Sequence, residues 1–140
     1  MTPPKLGILA GTGDLPRRVV DACAESGRPF FVIAFKDHTH PETVTDETPH
    51  AWVRLGAAGK ALKQLRRNDV KDVVLAGHIE PPSLSELRPD LWATMFLARM
   101  GPSILSNSDG LLGAFVQELE DKEGFRVIDV ETVLPPQAEE

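Results

Sequence analysis

The sequence predicts an α/β fold: a Rossmann-like open, mostly parallel sheet of about five strands with helices on both faces. Three observations carry that expectation. Two short apolar runs, residues 5–10 and 72–76, each stop at a glycine, Gly11 and Gly77, as a buried strand does when it ends in a tight turn. Residues 29–34 (PFFVIA) are apolar without in-and-out alternation, which suits a central parallel strand covered on both sides. Stretches of helical period separate these runs, and such alternation builds a parallel sheet between two helical layers.

Taken in order, residues 5–10 form the first strand and Gly11-Thr12-Gly13 its turn. Asp14 is placed to cap a helix, with Pro16 in the first turn, where a missing amide proton leaves no bond unmade. Leu15, Val19 and Ala22/Cys23 recur at helical spacing, and Gly27 stops the helix. After the second strand, residues 36–50 (KDHTHPETVTDETPH) are polar throughout and read as a long, mobile loop. Residues 51–55 suit a short strand. Residues 57–67 suit a helix with Leu62 and Leu65 inward and Lys60, Lys63, Arg66 and Arg67 outward. The fourth strand ends at Gly77, and Pro81-Pro82 mark a turn. Pro89 opens a helix through Leu91, Trp92, Met95, Phe96 and Arg99 that ends near Gly101-Pro102. Residues 106–109 (SNSD) offer caps for a helix carrying Leu111, Leu112, Phe115, Val116 and Leu119. Gly124 ends it, residues 125–129 are the last strand, and Val133-Leu134-Pro135-Pro136 leave the domain.

Composition narrows the function. With 15 Lys and Arg against 21 Asp and Glu, the net charge is −6 over 140 residues. A nucleic-acid partner or a polybasic membrane anchor is therefore not expected, although a local basic pocket for a phosphate is allowed. No apolar run reaches the roughly 20 residues of a membrane span. The single cysteine, Cys23, excludes an internal disulfide framework and a cysteine-rich metal site. A cytoplasmic location is the expectation. The 12 prolines bound short, sharply delimited elements.

In open α/β sheets, ligands lie beyond the carboxyl ends of the strands, at the switch point. Residues 11–16 and 77–82 are thus the first candidates. The two glycines of Gly11-Thr12-Gly13 permit close backbone approach, and the following helix start favours an anion. Pro16 stands where a dinucleotide fingerprint has its third glycine, and Asp14 would oppose a phosphate bound beside it. A plain βα turn competes with a phosphate site. Asp37 lies near the position that holds a ribose in dehydrogenases, with a solvated loop acid as the favoured reading. His38, His40 and His50, near Asp37, Glu42 and Asp46, match no standard metal spacing. His78, directly after Gly77, suits a phosphate contact, an acid or base, or a structural role. Trp92, Met95, Phe96 and Met100, with Leu91, make an apolar stripe more generous than one helix needs. Core packing is the default, and a second domain, a subunit or an acyl chain would take the surplus. Rival readings are an NAD(P)-dependent oxidoreductase, from Gly11, Gly13 and Asp37, and a nucleotide-sensing or interaction domain.

The run Lys5 to Pro16, the Val73–Gly77 segment, Ser108-Asp-Gly-Leu-Leu112 through Glu118-Leu119, Glu123-Gly-Phe-Arg-Val127 and Leu134-Pro135 occur in the order and spacing of a known family. Over about residues 5–136 the chain resembles the N-terminal domain of the UDP-2,3-diacylglucosamine pyrophosphatases of lipid A biosynthesis. The resemblance implies a Rossmann-like N-terminal domain at 1–134 and, at 135–140, the start of a linker to a C-terminal catalytic domain. It implies hydrolysis of UDP-2,3-diacylglucosamine to UMP and 2,3-diacylglucosamine 1-phosphate, with a divalent metal, Mg or Mn, held outside this domain. The isolated domain would then be inactive. The family's turns fall on Gly11, Gly13, Leu15, Pro16 and Gly77; the substrate-facing set is Gly11, Thr12, Gly13, Asp14, Leu15, Pro16, Gly77, His78 and Asp109, with no catalytic residue. His78-Ile79-Glu80-Pro81 replaces the basic residues usual after the second glycine, and Ser108-Asp109 reduces an acidic pair. The implied partners are a lipid-bearing UDP-sugar and the second domain, with transient membrane-surface contact and a homodimer both allowed.

Overall fold

In this computed structural model the structure describes residues 4–79, 87–101 and 108–134. The elements are β1 (Leu6–Ala10), α1 (Leu15–Ser26), β2 (Phe30–Phe35), a 3-10 turn (Pro41–Thr43), β3 (His50–Val53), α2 (Ala58–Arg67) and β4 (Asp72–Ala76). After β4 come α3 (Leu91–Met100), α4 (Ser108–Asp121), β5 (Arg126–Ile128) and the short α5 (Val130–Val133). The five strands lie in the order β3-β2-β1-β4-β5, and all four pairings are parallel. The predicted α/β class is what forms. Ala10 is level with both Ala34 and Ala76, so β1, β2 and β4 share one carboxyl edge. Successive strands run outward one way from β1 through β2 to β3 and the other way through β4 to β5, which makes the carboxyl ends of β1 and β4 the switch point.

Alternation along the strands sorts the core into two layers. Leu6, Ile8 and Ala10 pack with Val32, Val74 and the α1 residues Val19, Val20 and Cys23. On the other face Leu9, Phe31, Ile33 and Phe35 meet Leu62 and Leu65 of α2, with Leu119 and Phe125. Lys60, Lys63, Arg66 and Arg67 stay exposed, as the helical period requires. At the amino edge, buried Asp72 accepts from Arg28 (Nη2, 3.1 Å) and from Arg126 (Nε, 3.1 Å; Nη2, 2.8 Å). One carboxylate thereby ties the entry of β2 and the start of β5 to β4.

Several expectations need correction. Asp14 precedes α1 but its side chain makes no capping bond, because its backbone is already near helical, at φ −92° and ψ −14°. Asp90 is the working cap. Its Oδ1 accepts from the Ala93 amide of α3 (2.9 Å), while Oδ2 accepts from Gly59 (2.9 Å) and Lys60 (3.3 Å) in the first turn of α2. Residues 36–50 are not a featureless loop. Thr39, Thr43 and Thr48 are buried, and threonine hydroxyls satisfy backbone groups that a polar loop would leave to water. Thr48 Oγ1 accepts from the Thr45 amide at 3.2 Å, and His50 Nδ1 lies 2.6 Å from the Thr48 carbonyl. Val133, read as part of the exit, instead ends the short α5, and Val130 and Val133 pack on the α1 side of the sheet. The turn at Pro81-Pro82, the caps at 106–107 and the exit at Pro135-Pro136 lie outside the described residues.

Candidate functional site

The two glycine-ended strands meet in a clasp. Thr12 and His78 form an antiparallel bridge beyond the parallel sheet. The Thr12 amide and its Oγ1 both donate to the His78 carbonyl, each at 2.9 Å. The Gly11 amide donates to Ala76 O at 2.7 Å. The closeness explains both glycines. A Cβ on Gly11 would lie 2.8 Å from the His78 backbone nitrogen and oxygen, and one on Gly77, at φ +92°, would lie 2.5 Å from Thr12 O. The β1 end is also held from the β2 side: buried Thr39 donates to Ala10 O at 2.7 Å and accepts from the Phe35 amide at 2.8 Å.

The clasp changes how the Gly-x-Gly turn reads. The Thr12 amide is committed to His78 and does not point at a ligand. Gly13 and exposed Asp14 lead into the start of α1, and the space around Gly13 is open: an added Cβ would meet nothing within 4 Å. Leu15 packs against the core and Pro16 is fully buried within it, so these two fix the turn from behind. Thr12 and His78 are exposed. The backbone of Asp109 lies in the first turn of α4; its side chain is outside the described residues.

Beside the clasp, on the α2 face, lies an apolar cavity of about 240 Å³. Gly11, Gly77, His78 and Ile79 bound it at the strand ends, and Leu55, Leu62, Trp92, Phe96, Leu111 and Phe115 contribute to its walls. Part of the apolar stripe from residues 92 to 100 is therefore cavity wall and not simple core. Trp92 stacks on Phe96 at 5.3 Å and 14° between ring planes, and Phe115 meets Trp92 edge-on at 6.0 Å. The indole Nε1 donates to Glu123 Oε2 at 3.0 Å, and Glu123 is paired with Arg66. Leu112 lines the cavity yet is 49% exposed, so the apolar surface continues outward. Leu91 and Met95 on α3 are 77% and 54% exposed.

The other candidates separate from this place. Asp37 is exposed in the turn after β2, at φ +67°. His50 packs edge-on against Trp52. Among the described residues no three His, Cys, Asp or Glu side chains gather as a metal site. Cys23 is buried in α1, and desolvation pushes its thiol up, against the lowering charge of Arg28. Thr39 and Asp90 escaped the sequence reading, as did the contacts of Arg66, read only as an outward residue, and of Glu123, read only as part of the family run. Each acts on a partner fixed only by folding, and no motif announces that partner.

The geometry has relatives. Residues 5–137 match the profile of the LpxI N-terminal domain. The UDP-2,3-diacylglucosamine pyrophosphatase LpxI of Caulobacter vibrioides is 34% identical over 123 residues, which is 88% of this chain and 43% of that protein. The chain thus spans less than half the length of this curated relative. A solved structure of a UDP-glucose 4-epimerase superposes with a TM-score of 0.52 at 12% identity, covering 89% of this chain and 34% of that one; at that identity the likeness speaks for the fold alone. With residues 5–137 matched by the family profile and a curated relative at this identity, the chain belongs to the LpxI N-terminal domain family.

Proposed function

We propose that this chain is the substrate-binding half of a UDP-2,3-diacylglucosamine pyrophosphatase acting in lipid A biosynthesis. In the reaction, water bonds to one phosphorus of the pyrophosphate, the bond from that phosphorus to the bridging oxygen breaks, and UMP and 2,3-diacylglucosamine 1-phosphate leave. The observation that supports this most is the pairing of an apolar cavity of about 240 Å³ with an open helix start at the same strand edge. An amphipathic ligand needs both. An acyl chain gains about 0.8 kcal/mol for each methylene it buries, and the amides at the start of α1 favour an anion. His78, at the rim between the two, would meet the polar head.

The Mg²⁺ or Mn²⁺ in this reading belongs to a second, C-terminal domain that carries the chemistry. The described residues bring no set of metal ligands together, so no step is assigned to them. Metal would supply charge neutralisation at phosphorus there; this chain would supply position. A cytoplasmic setting and brief contact with a lipid surface go with a lipid-bearing substrate, and exposed Leu91 and Met95 suit such contact. The oxidoreductase reading is less favoured, because Thr12 spends its amide on His78 and Pro16 replaces the third glycine. The test is UMP release by the purified 140-residue chain with Mg²⁺ or Mn²⁺. None above background is expected, and sustained turnover would overturn the division of labour.

A further inference from the structure

We infer that Glu123, braced by Arg66, is a positioning residue for the apolar cavity, holding the Trp92 indole as a fixed wall and so setting which chain lengths the cavity admits. The inference rests on the acyl reading of the cavity. Three separate elements meet here. Trp92 comes from the first turn of α3, Arg66 from the last turn of α2, and Glu123 from the link between α4 and β5. One carboxylate oxygen of Glu123 accepts from Trp92 Nε1 at 3.0 Å, and the other accepts from Arg66. Arg66 also donates to the Glu123 carbonyl at 3.1 Å and lies 5.3 Å from the centre of the Phe125 ring. The brace is thus fixed at both ends.

The Glu123 side chain is 16% exposed, and a hydrogen bond is stronger in such partly desolvated surroundings than in water. Phe96 stacks on one face of the indole and Phe115 stands perpendicular to it, contacts that restrict the ring but let it slide. The Nε1 bond selects one orientation, because only one edge of an indole donates. A tryptophan fixed in this way changes cavity width little when a ligand enters. Released, it would let chains of different length fit comparably.

The experiment follows binding of octanoate, decanoate, laurate, myristate and palmitate to the whole chain, read by Trp92 fluorescence in a Trp52→Phe background. Glu123→Ala is compared with Glu123→Gln, which keeps an oxygen acceptor, and with Arg126→Ala, which loosens the opposite edge of the sheet. The wild type is expected to prefer one length. Glu123→Ala should flatten that preference about tenfold, the scale on which one methylene is discriminated in an apolar pocket. Glu123→Gln should restore most of it, and Arg126→Ala should lower the Tm and leave it intact. If Glu123→Ala keeps the wild-type preference, or Arg126→Ala flattens it equally, the positioning role is wrong. If the wild type binds none of the five, the acyl reading fails and the brace falls with it.

Discussion

Gly77 and Gly13 both take positive φ, +92° and +90°, but under different constraints. At Gly77 a Cβ would strike the Thr12 carbonyl; at Gly13 it would meet open space. Gly77→Ala should therefore lose on the order of 2 kcal/mol or more, since conformational strain of 1–3 kcal/mol is joined by opening of the clasp. Gly13→Ala should lose only the conformational part. Urea denaturation of the two variants measures the difference, and equal losses would mean the clasp contributes nothing. Glu123 carries a second expectation at this scale. Burial alone would raise its pKa; bonds from Arg66 and Trp92, with the charges of Arg66 and Arg99, outweigh burial and lower it. A carboxylate lowered in the folded state adds stability that is complete above its ordinary value of 4.5 and is lost as pH falls through the folded value. Trp92 emission should stay flat from neutral pH to about 4.5 and change only below it. A transition near neutral pH would assign the brace to another group.

Among the elements, those with a local signal were legible and those with a remote one were not. β1 and β4 could be read because an apolar run and a glycine sit together in sequence, and α1 because Pro16 and Gly27 bracket it. α2 has Ala57 at its start, a residue that cannot cap, and its first amides are satisfied by Asp90 from some 30 residues away. Threonine spacing in residues 36–50 gave no hint that Thr39 would reach back to Ala10. The Asp14 cap was the reverse case: the right residue type stood at the right place, and the backbone had already entered the helical region. Asp90→Ala removes caps from two helices at once. At about 1 kcal/mol for each cap the expected loss is about 2 kcal/mol, and because α2 and α3 wall the cavity, it should be accompanied by altered Trp92 fluorescence. A loss confined to the size of a single cap, with unchanged fluorescence, would show that the α2 bonds are idle.

For the molecule as a whole, the strand order β3-β2-β1-β4-β5 brings the two glycine turns, the α1 start and the apolar cavity to one edge, while the Asp72 cluster closes the other. Length and acidity were legible from composition, and the two glycine-ended strands from local apolar runs. The cavity was visible only as a surplus of Trp92, Met95 and Phe96 surface, because its walls come from three helices that sequence order does not juxtapose. Calorimetric binding of UDP-2,3-diacylglucosamine beside unacylated UDP-glucosamine, each to the 140-residue chain, reaches the central claim most directly. The acylated ligand should bind at least about a hundredfold more tightly, since four buried methylenes at ~0.8 kcal/mol each already exceed that ratio. Equal affinity for the two ligands, or binding of neither, would contradict a substrate held jointly by the α1 start and the cavity.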